Sequence, residues 1–160
     1  MRISVSLACT VATLAGCSPS HPDPETFSIL AKGDIHRTLF DVQGSAQPSN
    51  KKCVIRVQVW ADFDEERPAP GPHDDAEAVR QGFYWRAFAS PKVRCLGALP
   101  VRYGEVTGGR ISVAPMPLRA GASYGVAIAL AGEVLGVGHF RVLPDGSFAP
   151  SSRPVSEQPR

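Results

Sequence analysis

The sequence predicts an all-β protein: a single small β-sandwich behind a cleaved N-terminal signal segment. Three observations predict it. Apolar residues alternate with period 2 in short stretches, most clearly Cys53 to Trp60 and Ser123 to Ala131. The 15 glycines and 15 prolines punctuate those stretches, and no long 3.6-residue period intervenes, so turns rather than helices join the strands. The hydrophobic share, 43% of 160 residues, suffices for one core.

The N-terminus comes first. Arg2 gives a positive start, and Ile3 to Leu14 is a mostly apolar run without charge, followed by the small residues Ala15 and Gly16. A charged start, a short apolar run and a small-residue cut site are the features of a secretory signal peptide. The run is shorter than the roughly 20 residues that a spanning helix needs. The residues Leu14-Ala15-Gly16-Cys17 resemble the lipobox of bacterial lipoproteins. The resemblance implies that residues 1–16 are removed, that the Cys17 thiol is acylated and that the new amino group is acylated too. Two or more acyl chains hold a protein stably on a membrane, where one holds it only marginally. In that class, Ser18 behind the cysteine implies the outer membrane, with the protein facing the periplasm. The rival expectation is a plain secreted protein cut near Gly16, with Cys17 left as an ordinary thiol.

Residues 17–25 then read as a lipidated cysteine and a tether, since Ser18 to Glu25 holds three prolines and favours extended chain. The folded domain is expected over 26–149. Phe27 to Leu30 and Thr38 to Val42 read as strands. The second has a helical alternative begun by Asp34, because Ile35, Leu39 and Val42 stand three or four apart. In Cys53 to Trp60, the residues Cys53, Ile55, Val57 and Val59 fall on one face, with Arg56 and Gln58 on the other. Asp62 to Arg80 holds seven acids against two arginines, a net −5, and Pro68, Pro70, Gly71 and Pro72 mark it as a loop. Phe83 to Ala89 is an aromatic-rich strand, and Leu99 to Val106 and Arg110 to Ala114 are shorter ones. In Ser123 to Ala131, Tyr124, Val126, Ile128 and Leu130 share a face. Gly132-Glu133 turns the chain into Val134 to Val142. There Gly136 and Gly138 are expected to mark a bulge, because the apolar phase changes from Leu135 and Val137 to Phe140 and Val142. Residues 150–160 read as a disordered tail of Pro, Ser and charge.

The run Leu118-Arg119-Ala120-Gly121-Ala122-Ser123-Tyr124-Gly125-Val126 resembles the tyrosine corner of fibronectin-III and immunoglobulin-like domains. The resemblance implies an immunoglobulin-like sandwich in which the Tyr124 hydroxyl bonds back to the backbone and fixes an arch between sheets. The Trp and disulfide spacing of antibody domains is not matched. Cys9 leaves with the signal segment and Cys17 is taken by lipid. Cys53 and Cys95 remain, an even pair in an oxidising compartment, and a disulfide follows. It would close a loop of about 40 residues and contribute roughly 3 to 4 kcal/mol. The alternatives are two free thiols or a metal pair, but neither cysteine has a second Cys or His at ligand spacing.

Function is less constrained. A formal charge of +2 implies no nucleic-acid partner. His21, His36, His73 and His139 form no pair at metal-ligand spacing, no Gly-x-Ser-x-Gly elbow is complete, and neither glycine-rich spot carries a phosphate-loop Lys-Ser/Thr. No cofactor is expected, and no catalytic residue is assigned. Asp62, Asp64, Glu65, Asp74 and Asp75 are weak candidates for calcium, which takes six to eight oxygens. The leading expectation is a membrane-anchored envelope lipoprotein, held by its lipid, that acts as a non-enzymatic interaction or assembly module for an envelope protein partner. One alternative is a small-ligand or calcium-binding lipoprotein whose site is lined by Trp60, Tyr84 and Trp85. A second is an envelope hydrolase with dispersed catalytic groups, His139, His73 and Asp64 being the residues to substitute.

Overall fold

The computed structural model describes residues 26–43, 48, 53–61, 68–132 and 134–151. The expected signal segment 1–16, the tether 17–25 and the tail from residue 152 on lie outside the described residues. The all-β class holds. Nine strands form one continuous sheet: β1 (Thr26–Lys32), β2 (Leu39–Val42), β3 (Val54–Ala61), β4 (Phe83–Phe88), β5 (Val101–Arg102), β6 (Arg110–Val113), β7 (Ser123–Leu130), β8 (Val134–Val142) and β9 (Phe148–Pro150). A single short helix, α1 (Ala76–Arg80), precedes β4. The strand order is β5-β2-β1-β8-β7-β3-β4-β6, with β9 also paired to β8. All pairings are antiparallel except β1 with β8. β1 changes partners midway. Thr26 to Ser28 pair with Leu135 to Val137 of β8, and Ile29 to Lys32 pair with β2. One strand thereby joins the two parts of the sheet.

Alternation sorts the side chains between the two faces. Val57, Val59, Trp85, Tyr124, Val126, Ile128 and Phe140 come from four adjacent strands onto one face, and all are buried. Burying each such side chain stabilises the fold by about 1.5 to 3 kcal/mol. The sheet curls around this core, so its distant parts touch. Phe40 of β2 packs on Phe140 at 5.7 Å and on Tyr103 at 6.2 Å, and Tyr103 packs on Trp85 at 5.3 Å.

Two tyrosines hold the curl with hydrogen bonds. The Tyr103 hydroxyl, just after β5 at one end of the sheet, donates to the Met116 carbonyl at 2.7 Å and lies 3.1 Å from the Tyr84 carbonyl. Tyr84 belongs to β4, one strand from the opposite end, so the phenol spans the opening between the ends. The Tyr124 hydroxyl accepts a hydrogen bond from the Arg119 N–H at 2.9 Å, five residues back along the chain. Burial pushes its ionisation up to about 12. Cys53 and Cys95 form a disulfide with an S–S distance of 2.06 Å. Beside it, Leu96 N–H donates to Val54 O and Val54 N–H to Gly97 O, so the bridge extends a short backbone ladder at the start of β3.

Several local expectations need correction. Gly136 and Gly138 mark no bulge. β7 and β8 pair without interruption from Ser123/Arg141 to Leu130/Val134. The glycines instead let β1 approach: a Cβ at Gly136 would lie 2.3 Å from the Phe27 ring, and one at Gly138 would lie 2.2 Å from the Ile29 carbonyl oxygen. The helical alternative begun by Asp34 is not taken. The Asp34 carboxylate accepts from the N–H groups of His36 and Arg37 in a tight turn, and residues 39–42 are strand. The strand expected over Leu99 to Val106 shrinks to Val101–Arg102, beside the cis Leu99–Pro100 bond. Within the expected acidic loop, Ala76–Arg80 is helical, because the Asp75 carboxylate caps it by accepting from Glu77 and Ala78 N–H. β9 was not foreseen. It takes in Pro150, one residue beyond the expected end of the domain, and Phe148 packs on Phe140 at 5.4 Å.

Candidate functional site

The pairing registers fix which side chains line the sheet face opposite the aromatic core. Leu135 of β8, Ala129 of β7, Arg56 of β3, Phe88 of β4 and Arg110 of β6 are successive cross-strand partners in one row. The next row runs Val137, Ala127, Gln58, Arg86. Partners within such a row stand about 4.5 to 5.5 Å apart, and diagonal ones about 7 to 8 Å. Arg56 and Arg86 are diagonal neighbours on β3 and β4. Two guanidinium groups therefore share one stretch of sheet.

Local irregularities shape the surface around them. Between Val54 and Arg56 the β3–β7 register slips by one residue, which leaves Ile55 as an extra, partly exposed side chain beside Arg56. A second slip, in β4, lets Tyr84 turn to the core, where it meets Tyr124 at 5.1 Å, while Phe83 stays on the arginine face. The Arg86 guanidinium then lies 4.8 Å from the Phe83 ring centroid and 4.9 Å from that of Phe88, both cation–π distances. After Phe88 a tight turn closes the rim, with Ser90 and Val93 exchanging backbone hydrogen bonds of 2.9 and 3.0 Å.

Two concavities meet at this rim. One, of about 690 Å³, is mostly apolar and is lined by Ile55, Phe88, Pro91, Ala129 and Leu135 with Arg56 at its side. The other, of about 480 Å³, holds Arg86, Arg110, Ser112 and Asp75. Both share Phe88 to Pro91. Among the described residues the ion pairs are Lys32–Asp41, Arg80–Glu77 and Arg102–Glu105, and none of the three groove arginines belongs to one of them. The Nε atoms of Arg56 and Arg86 and the Ser112 hydroxyl are buried without a hydrogen-bond partner. A buried donor left unmade costs about 1 to 3 kcal/mol, and more where the group is charged. A larger cleft of about 830 Å³ lies near the disulfide, but its charged residues Arg102 and Glu105 already face each other at 3.6 Å. It has no unmet chemistry of this kind.

The residues singled out from sequence fall elsewhere. Cys17, Asp62, Asp64 and Glu65 lie outside the described residues. Asp74 and Asp75 are described, and their carboxylates serve the backbone. Asp74 accepts from Gly71 N–H at 2.8 Å and from Ala114 N–H at 2.7 Å, and Asp75 caps α1. Among the described residues no three His, Cys, Asp or Glu side chains gather as for a metal ion. Trp60, Tyr84 and Trp85, expected to line a ligand site, are instead core residues at 2%, 1% and 0% exposure. Their strand positions put them against neighbours: Trp60 covers Gly125, where a Cβ would fall 2.2 Å from the indole. His139 packs edge-on against Trp60 at 6.0 Å, while His73 is exposed in the turn before α1. The groove residues were missed. Their one sequence signal was Arg86 placed among aromatics on a strand. Comparisons of the chain with protein-family models, curated proteins and solved structures gave no match.

Proposed function

We propose that the chain is a lipid-anchored envelope protein whose sheet domain serves as a non-enzymatic interaction module. Cys17 carries the lipid, residues 18–25 hold the domain off the outer membrane, and the groove around Arg56, Phe88 and Arg86 receives the partner. The observation that carries the interaction reading is that groove. It sets an apolar concavity beside three arginines that form no ion pair among the described residues, and arginine and aromatic residues are enriched where protein partners bind. The anchor is supported by Leu14-Ala15-Gly16-Cys17 and by the proline-rich stretch behind it.

Two measurements test this in cells. Metabolic labelling with a palmitate analogue is expected to tag the wild type and not Cys17→Ala, with the variant leaving the membrane fraction. Crosslinking in intact cells followed by mass spectrometry is expected to recover one dominant envelope protein, lost from Cys17→Ala and reduced in Arg56→Gln/Arg86→Gln. An untagged wild-type chain removes the anchor. A crosslinking profile identical in wild type and groove variant removes the groove as the docking surface.

A further inference from the structure

We infer that the groove recognises an acidic segment of a partner protein, in which a carboxylate stands next to an apolar side chain. The inference deepens the interaction reading by naming the partner's chemistry, and it is independent of the anchor.

Arg56 and Arg110 are the cross-strand partners of Phe88, and Arg86, diagonal to Arg56, lies over the Phe88 ring, so three like charges occupy neighbouring positions of the sheet. Charges of one sign gathered on one stretch of sheet repel one another, and no carboxylate among the described residues forms an ion pair with them. Asp75 lines the same concavity, but its Oδ1 is held by the first-turn N–H groups of α1. The arrangement becomes favourable once an anion arrives. A guanidinium offers a planar fork that matches a carboxylate with two parallel hydrogen bonds, and such charge-assisted bonds are about twice as strong as neutral ones. The stacking of Arg86 between Phe83 and Phe88 limits its rotation, so less freedom is lost on binding.

Shape supplies the second requirement. The apolar concavity adjoins the cationic one along Phe88 to Pro91, and the extra residue Ile55 forms part of its wall beside Arg56. A free inorganic anion would use the arginines and leave Ile55, Leu135 and Pro91 uncovered. A purely apolar segment would bury Arg56 without a partner, at a cost that grows with burial. A segment carrying both a carboxylate and an aliphatic or aromatic side chain fills both halves.

The test is selection of a displayed library of random heptapeptides on the purified full-length protein and, in parallel, on Arg56→Gln/Arg86→Gln. The wild type is expected to enrich peptides with Asp or Glu next to Leu, Ile or Phe. The best of these, measured by fluorescence anisotropy, are expected to bind the double variant at least about tenfold more weakly and to lose affinity as salt rises. The variant is expected to match the wild type in near-ultraviolet circular dichroism and to unfold cooperatively, so that lost binding is not lost folding. A second variant, Ala129→Trp, fills the apolar half and is expected to abolish binding with the arginines intact. Enrichment without acidic residues, or equal binding by wild type and double variant, overturns the inference. Arginine-dependent binding to phosphatidylglycerol vesicles with no peptide enrichment also overturns it, in favour of a lipid surface. Neither result bears on palmitate labelling at Cys17, so failure here and failure of the anchor are told apart.

Discussion

Tyr124 and Tyr103 each use one phenol hydroxyl to hold backbone that strand pairing does not reach. Removing the Tyr124 oxygen leaves the Arg119 N–H without its acceptor. Tyr124→Phe is therefore expected to cost about 1 to 3 kcal/mol, read as a lower denaturant midpoint with the slope unchanged. Both phenols also set an alkaline limit. Burial raises the ionisation of Tyr124 from 10.0 to about 12 and that of Tyr103 further still. An acid group whose folded ionisation is raised contributes stability that is complete below its unfolded value and is lost as pH rises through the folded one. Melting temperature is thus expected to hold up to about pH 10 and then fall, with the Tyr124 share of the loss spread between 10 and about 12. A flat profile from pH 9 to 12 would contradict the burial of both hydroxyls. Only one of these residues was legible in sequence. Tyr124 reaches a partner five residues away, inside one local pattern, while Tyr103 reaches residues 13 and 19 away that only the fold brings near.

Strands were legible where they alternate. β3 and β7 announce themselves because large apolar side chains on one face alternate with mostly small or polar residues on the other, and that period survives in the sequence. β9 has three residues and α1 five, too few for any period to show, and the acidic surroundings of α1 read as loop. The misreading of β8 is more instructive. Its change of apolar phase is real, with Leu135 and Val137 on the groove face and Phe140 and Val142 on the core face. Glycine fills the core-side gap because a second strand passes there, and a passing strand leaves no local trace. Gly138→Ala tests this account. The added carbon would meet the Ile29 carbonyl oxygen at 2.2 Å, which only a shift of backbone can relieve. The expected result is a loss of about 1 to 3 kcal/mol, with faster amide exchange at Ser28 to Ala31 and at Val137, and β3–β4 pairing unaffected. Unchanged exchange along β1 would refute the role given to the glycine.

At the scale of the molecule, the disulfide and the curl act together. Cys53 opens the central strand β3, and Cys95 lies in the connection toward the edge strand β5, 42 residues on. Breaking it with Cys53→Ser/Cys95→Ser is expected to lower stability by roughly 3 to 4 kcal/mol, measured as a denaturant-midpoint shift against the oxidised protein. The cysteine pair could be read by elimination from the sequence. The groove could not, because Arg56, Phe88 and Arg110 lie tens of residues apart and become neighbours only through register. The sequence pointed instead to conspicuous aromatics, which the fold buries in its core, and to acids, of which Asp74 and Asp75 serve the backbone. β1 has a mechanical consequence as well. Its first three residues lie parallel to β8 and the rest antiparallel to β2, so a pull applied to the chain ahead of Thr26 enters along the strand axis. The adjoining ladders, three residue pairs with β8 and four with β2, then take that force together in shear instead of peeling open one by one. A domain gripped by a partner on one side and tugged from its N-terminus on the other would carry that load through the seam where its two halves are stitched.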